Sequence, residues 1–189
     1  MESFFVSMLV VAVGEIGDKT QLLALLLATR FRRPIPIILG IFVATIANHA
    51  VAGAVGGLIK NALEPGTLRI LLAVSFFAIA LWAIKPDTME DKPRDLGRYG
   101  VFAFTAVVFF LAEIGDKTQL ATVALAARYD SLISVVCGTT LGMLIADVPA
   151  VLLADRLTLK IPLRLIRYIS ASLFALLGVA ALLGIGLGP

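Results

Sequence analysis

The sequence predicts an all-α integral membrane protein whose six transmembrane helices form two inverted three-helix repeats. Of its 189 residues, 60% are hydrophobic and only 15% are charged, where a soluble domain is about one quarter charged. Mean hydropathy is +1.01. Six apolar runs reach spanning length. The octapeptide EIGDKTQL occurs twice, starting at Glu15 and at Glu113.

The first run, 3–28, has no basic residue before Lys19 and no small-residue cleavage site, so it reads as a retained helix rather than a signal peptide. TRFRRPIP, with three arginines and two prolines, ends it. The second run covers 35–59, and EPG at Glu64 marks the turn into a short third run, 67–84. KPDTMEDKPRDLGR is the one long polar linker. It separates a first repeat, 1–84, from a second, 99–189, and itself occupies 85–98. Runs at 99–127, 132–154 and 166–187 complete the six, with the basic connection DRLTLKIPLR before the last.

The halves align at one offset. Glu15 and Glu113 are 98 residues apart, and the same spacing relates Arg30 to Arg128, Gly40 to Gly138, Arg69 to Arg167 and Phe76 to Phe174. It also sets His49 against Asp147, a polar residue opposite a polar residue. A repeat of three spans enters the membrane from the side opposite its predecessor, which makes the repeats inverted, a design of secondary transporters.

A net charge of +3 and a pI near 9.2 do not indicate nucleic acid, because the basic residues lie in short loops. The loops after spans one, three and five, with the start of span six, carry eleven Lys and Arg; those after spans two and four carry three. This places the first set in the cytoplasm, the linker included, and both termini outside. The single Cys137 excludes an intrachain disulfide and is expected to pack within its apolar helix.

A charged side chain at a helix centre costs about 2.5–3.5 kcal/mol on insertion scales, and each EIGDKTQL copy holds three. Glu15 with Lys19, and Glu113 with Lys117, have the four-residue spacing of a helical ion pair. Asp18 and Asp116 have no such partner within their own motif. Buried ion pairing alone leaves those two acids unexplained, and it leaves unexplained why the octapeptide is identical while its flanks, VAVG and FFLA, differ.

Residues three apart share a side of a helix, and inverted symmetry brings the two motifs together at the midplane. Glu15, Asp18, Glu113 and Asp116 are therefore expected to converge. Gln21 and Gln119 would add neutral oxygens, while Thr20 and Thr118 would satisfy backbone. Gly17 and Gly115 permit close approach or a local helix break. An all-oxygen cage suits Mg²⁺, Ca²⁺ or Mn²⁺ and disfavours zinc or copper. Crowded carboxylates cannot all stay ionised once metal leaves, so the empty site takes up protons and exchange becomes possible. His49, beside Asn48 and mirrored by Asp147, reads first as a satisfied helix-contact histidine and second as a path-lining or proton-carrying group.

The doubled E-x-G-D-K-T, once on the first helix of each half, resembles the Gdt1/TMEM165 family (UPF0016) of membrane cation transporters. The resemblance covers the chain in length, span count and motif placement. It implies Mn²⁺ as substrate, Ca²⁺ in some members, and exchange for H⁺ with export from the cytosol, here across a bacterial inner membrane. The family's acids fall on Glu15, Asp18, Glu113 and Asp116, with Lys19 and Lys117 in the basic position and Thr20 and Thr118 after it. No cofactor is expected, and no enzyme activity. The alternatives are an amino-acid exporter of similar layout, a passive cation channel and a non-transporting scaffold subunit. Small-residue runs such as AVAGAVGG also suit packing against a second copy.

Overall fold

The computed structural model describes residues 1–85, 100–154 and 163–185, so the linker beyond Lys85 lies outside the described residues. All regular structure among these is helical. The order is α1 (Glu2–Glu15), α2 (Lys19–Phe31), α3 (Pro34–Ala62), α4 (Pro65–Ile84), α5 (Val101–Glu113), α6 (Lys117–Arg128), α7 (Leu132–Leu152) and α8 (Leu163–Leu182).

Spans two, three and five appear close to their predicted bounds as α3, α4 and α7, each long and apolar enough to cross a membrane. Pro34 and Pro65 open α3 and α4, at a position where a missing N–H has no helical partner to lose. The predicted spans 3–28 and 99–127 are not continuous. Each is two helices of 12–14 residues, and 14 residues reach only about 21 Å against a hydrocarbon core of about 30 Å. Neither member of a pair covers that distance by itself.

Burial differs from that of a water-soluble protein in its apolar exterior and its buried charged groups. Phe42, Ile46, Val51, Val74, Leu81 and Leu176 are exposed, while Glu15, Asp18, His49, Glu113, Asp116 and Asp147 are buried. An apolar exterior around a charged interior is stable where the surrounding solvent is hydrocarbon. Cys137, expected to pack inside, faces outward from α7.

On α3, the buried residues Ile37, Ile41, Ala44, Thr45, Asn48, His49 and Ala52 recur at steps of three and four, which makes one inward stripe. The 98-residue offset also governs contacts. A Cβ placed on Gly40 would lie 2.7 Å from the Thr105 Cβ and 2.8 Å from the Phe102 carbonyl oxygen. Gly138 lies in the same way against Ser7 and the carbonyl of Phe4, the partners the offset demands. So α3 packs on α5 as α7 packs on α1.

Two apolar clusters make up the apolar core among the described residues. One joins Val10 of α1, Leu72 and Phe76 of α4, Leu125 of α6, Val135 of α7 and Phe174 of α8. The other joins Leu23 and Leu27 of α2, Ile37 and Ile41 of α3, Phe104 and Phe109 of α5 and Val151 of α7. Gly53 and Gly56, part of the AVAGAVGG run, pack on α6 and α7 of the same chain.

Candidate metal centre

The sequence IGD breaks both helices by the same backbone path. Ile16 and Ile114 are extended at φ −61 with ψ 119 and 121, and Asp18 and Asp116 are extended at φ −80 and −79. Between them Gly17 and Gly115 take φ 79 and 74, a left-handed region that glycine enters without a Cβ penalty.

A break inside a membrane frees backbone groups that need partners. The Gln21 Oε1 accepts from the Gly17 N–H and the Gln119 Oε1 from the Gly115 N–H, both at 2.8 Å. Their amide nitrogens reach across the fold. Gln21 donates to the Ala146 carbonyl at 2.9 Å and Gln119 to the Asn48 Oδ1 at 3.1 Å, and positions 48 and 146 correspond by the offset. The two glutamines, expected to offer oxygens to a metal, direct those oxygens at the break. Carbonyls in the last turns of α1 and α5 are capped from elsewhere, Val13 by Ser170 at 2.8 Å and Phe110 by Asn48 at 2.9 Å.

The break also removes the expected Glu15–Lys19 and Glu113–Lys117 pairs, because the four-residue spacing has meaning only on a continuous helix. Each lysine instead crosses to the other motif. Lys19 Nζ lies 3.1 Å from Asp116 Oδ1, and Lys117 Nζ lies 2.6 Å from Asp18 Oδ1. Both aspartates sit at helix N-caps yet make no side-chain cap bond, although aspartate favours that bond. Their carboxylates face inward while still lying at the positive ends of α2 and α6.

Of the four acids expected to converge, three do. Glu15, Asp18 and Asp116, all buried, each offer an oxygen within 4.8 Å of the others. Glu113 stands apart from that set, its Oε1 accepting from Thr45 Oγ1 at 2.8 Å. Thr118, expected to satisfy backbone, donates to Asp116 Oδ2 at 3.1 Å, and the buried Thr20 hydroxyl has no hydrogen-bond partner among the described residues.

Neither oxygen of Glu15 has a hydrogen-bond donor among the described residues, nor has either oxygen of Asp147, which lies within electrostatic reach of Glu15 and Glu113. His49 is buried with neither ring nitrogen bonded among the described residues, so no contact among them satisfies it. Buried carboxylates without donors are costly, and a hard cation or protons would satisfy them.

Sequence reasoning missed Thr45 and Ser170. Thr45 lies on one helical face with Asn48 and His49, at steps of three and four, and that polar stripe in an apolar run was the available signal. Nothing in sequence separates Ser170 from Ser172.

An apolar helical exterior around a shared, buried acidic centre is the pattern of a membrane protein with charged functional groups in its interior. The family model described as "Divalent cation/proton antiporter GDT1" matches residues 3–91 and 101–186, and the chain belongs to that family. It is 49% identical over 181 residues to the "Putative manganese exporter" of Vibrio cholerae, covering 95% of this chain and 90% of that protein. It is 27% identical to "GDT1-like protein sll0615" of Synechocystis, over 96% and 97% of the two chains. Against "GDT1-like protein 5" of Arabidopsis thaliana identity is 25%, over 97% and 96%. No solved structure matches.

Proposed function

We propose that this chain is a secondary transporter that moves divalent cations, Mn²⁺ first and Ca²⁺ second, out of the cytosol in exchange for protons. Its architecture is six spans in two inverted repeats. Both repeats contribute to one midplane site. The observation that carries this reading is the set of buried ligand oxygens from Glu15, Asp18 and Asp116, drawn from both motif copies and within 4.8 Å of one another.

Charge supports the exchange. Four motif carboxylates face two motif lysines, and the buried Asp147 adds a further acid, which leaves a deficit of positive charge that a divalent cation or protons can fill. An unfilled deficit in hydrocarbon is expensive to move, so the loaded forms cross and the bare form does not. Oxygen ligands suit Mn²⁺ and Ca²⁺ alike, and the manganese named for the Vibrio cholerae relative favours Mn²⁺. The repeat arrangement is supported by the exchange of contacts between α3·α5 and α7·α1 under the 98-residue offset.

Purified protein in liposomes with an imposed pH gradient tests the reading. Mn²⁺ flux is expected to follow the gradient, to exceed Ca²⁺ and Mg²⁺ flux, and to vanish in Glu15→Gln and Glu113→Gln. Flux indifferent to the gradient removes the proton coupling, and undiminished flux in both variants removes the site.

A further inference from the structure

The two motifs are alike in backbone but not in surroundings. Under the 98-residue offset, packing of α4 on α6 should be matched by α8 on α2, and α8 on α1 by α4 on α5. Only the first of each pair is made to a comparable extent among the described residues. The apolar clusters repeat this. The cluster that contains α6 residues includes Phe76 of α4 and Phe174 of α8, and the one that contains α2 residues includes neither helix. The α4–α8 pair therefore packs on α6 and α1 rather than on α2 and α5.

The lysines follow the same asymmetry. Lys117, at the start of α6, is 4% exposed and 2.6 Å from Asp18. Lys19, at the start of α2, is 29% exposed and 3.1 Å from Asp116. Both aspartates supply oxygens to the three-acid set, so each ammonium occupies part of the charge a cation would need.

Resting on the cation-carrier reading above, we propose that Lys19 and Lys117 are alternating plugs: each lysine holds the other repeat's aspartate and guards access along the half-helix it begins, and the structure has Lys19 as the accessible one. A cation arriving along α2 displaces the Lys19 ammonium from Asp116 while Lys117 keeps the path along α6 shut. Movement of the α4–α8 pair from α6 and α1 onto α2 and α5 exchanges the two roles. Lysine suits this use because its single charge sits on a flexible stem, whereas a guanidinium would hold carboxylate in a rigid two-bond fork. The lysines are positioning residues, acting on the cation through the aspartates.

The test uses wild-type protein in uniformly oriented liposomes without metal, treated on one face at a time with isethionyl acetimidate, a membrane-impermeant amine reagent, and read by peptide mass spectrometry. Lys19 should be modified several-fold faster than Lys117, and only from the face at which α2 ends. Equal rates, faster modification of Lys117, or Lys19 labelling from both faces would overturn the proposal.

A second arm uses Lys19→Cys and Lys117→Cys, each in a Cys137→Ser background. Mn²⁺ flux, lost in each, should return when trimethylammonium-ethyl methanethiosulfonate restores the positive charge, from the α2-end face for the first and from the opposite face for the second. Methyl methanethiosulfonate, which adds no charge, should restore nothing. Restoration by both reagents, or from either face alike, overturns the plug. Wild-type flux in the same vesicles keeps the failures distinct. Its absence removes the carrier reading, and its presence with symmetric labelling removes only this inference.

Discussion

Gly115→Ala separates a broken helix from a continuous one by the sign of its effect. Were residues 99–127 one helix, alanine in place of glycine would stabilise it by about 0.5–1 kcal/mol, because glycine loses more backbone freedom on folding. In the structure Gly115 holds φ 74, and a Cβ there meets no atom within 4 Å. Packing then contributes nothing, and the whole effect is that of forcing an L-residue into left-handed backbone, about 1–2 kcal/mol unfavourable. Such a change shifts a folding equilibrium by a factor of about 5–30. Reversible unfolding by sodium dodecyl sulfate in mixed micelles, followed by circular dichroism, resolves it. The variant should unfold at a lower denaturant fraction with an unchanged slope. A variant as stable as wild type, or more stable, would refute the helix break at EIGDKTQL and with it the placement of both aspartates at half-helix starts.

Other perturbations have comparable precision. Gln21→Leu removes the acceptor of the Gly17 N–H and the donor to Ala146, and unfolding in micelles should show a loss of about 1–3 kcal/mol from stranded polar groups. Gly40→Ala drives a Cβ to 2.7 Å from Thr105 and 2.8 Å from a backbone oxygen. A thermal scan should show destabilisation of about 1–3 kcal/mol, the range for overpacking, while Gly57→Ala, with nothing nearby, should not lose stability. The exposed Asp130, at the connection between α6 and α7, is held below its usual carboxylate range by a hydrogen bond from Lys60 and by its charge. Its contribution is present above the ordinary aspartate range and fades as pH falls through the lowered value. Any stability gap between wild type and Asp130→Asn should therefore close on acidification and not on raising the pH from neutral.

The sequence by itself determined the solvent, the duplication and the chemistry of the centre. Its hydropathy left no soluble option, and one offset aligned His49 with Asp147 and Gly40 with Gly138. Two octapeptides rich in carboxylates pointed to a hard cation, because charges persist in hydrocarbon only where something offsets their cost. What the sequence could not settle was where along a 26-residue apolar run the helix would stop. Glycine between two acids is compatible with either a close approach or a break, and the choice depends on whether distant groups exist to satisfy the freed backbone. Ser170, Asn48 and Ala146 supply partners from three other helices, and only the assembled bundle brings them there. That break then decided the rest. It moved Lys19 and Lys117 from their own glutamates to the opposite repeat's aspartates, turned Gln21 and Gln119 toward Gly17 and Gly115, and left Glu113 on Thr45 while the other three acids gathered. Sequence periodicity encodes which residues share a face of one helix, whereas pairing between two broken helices is set by how the repeats dock.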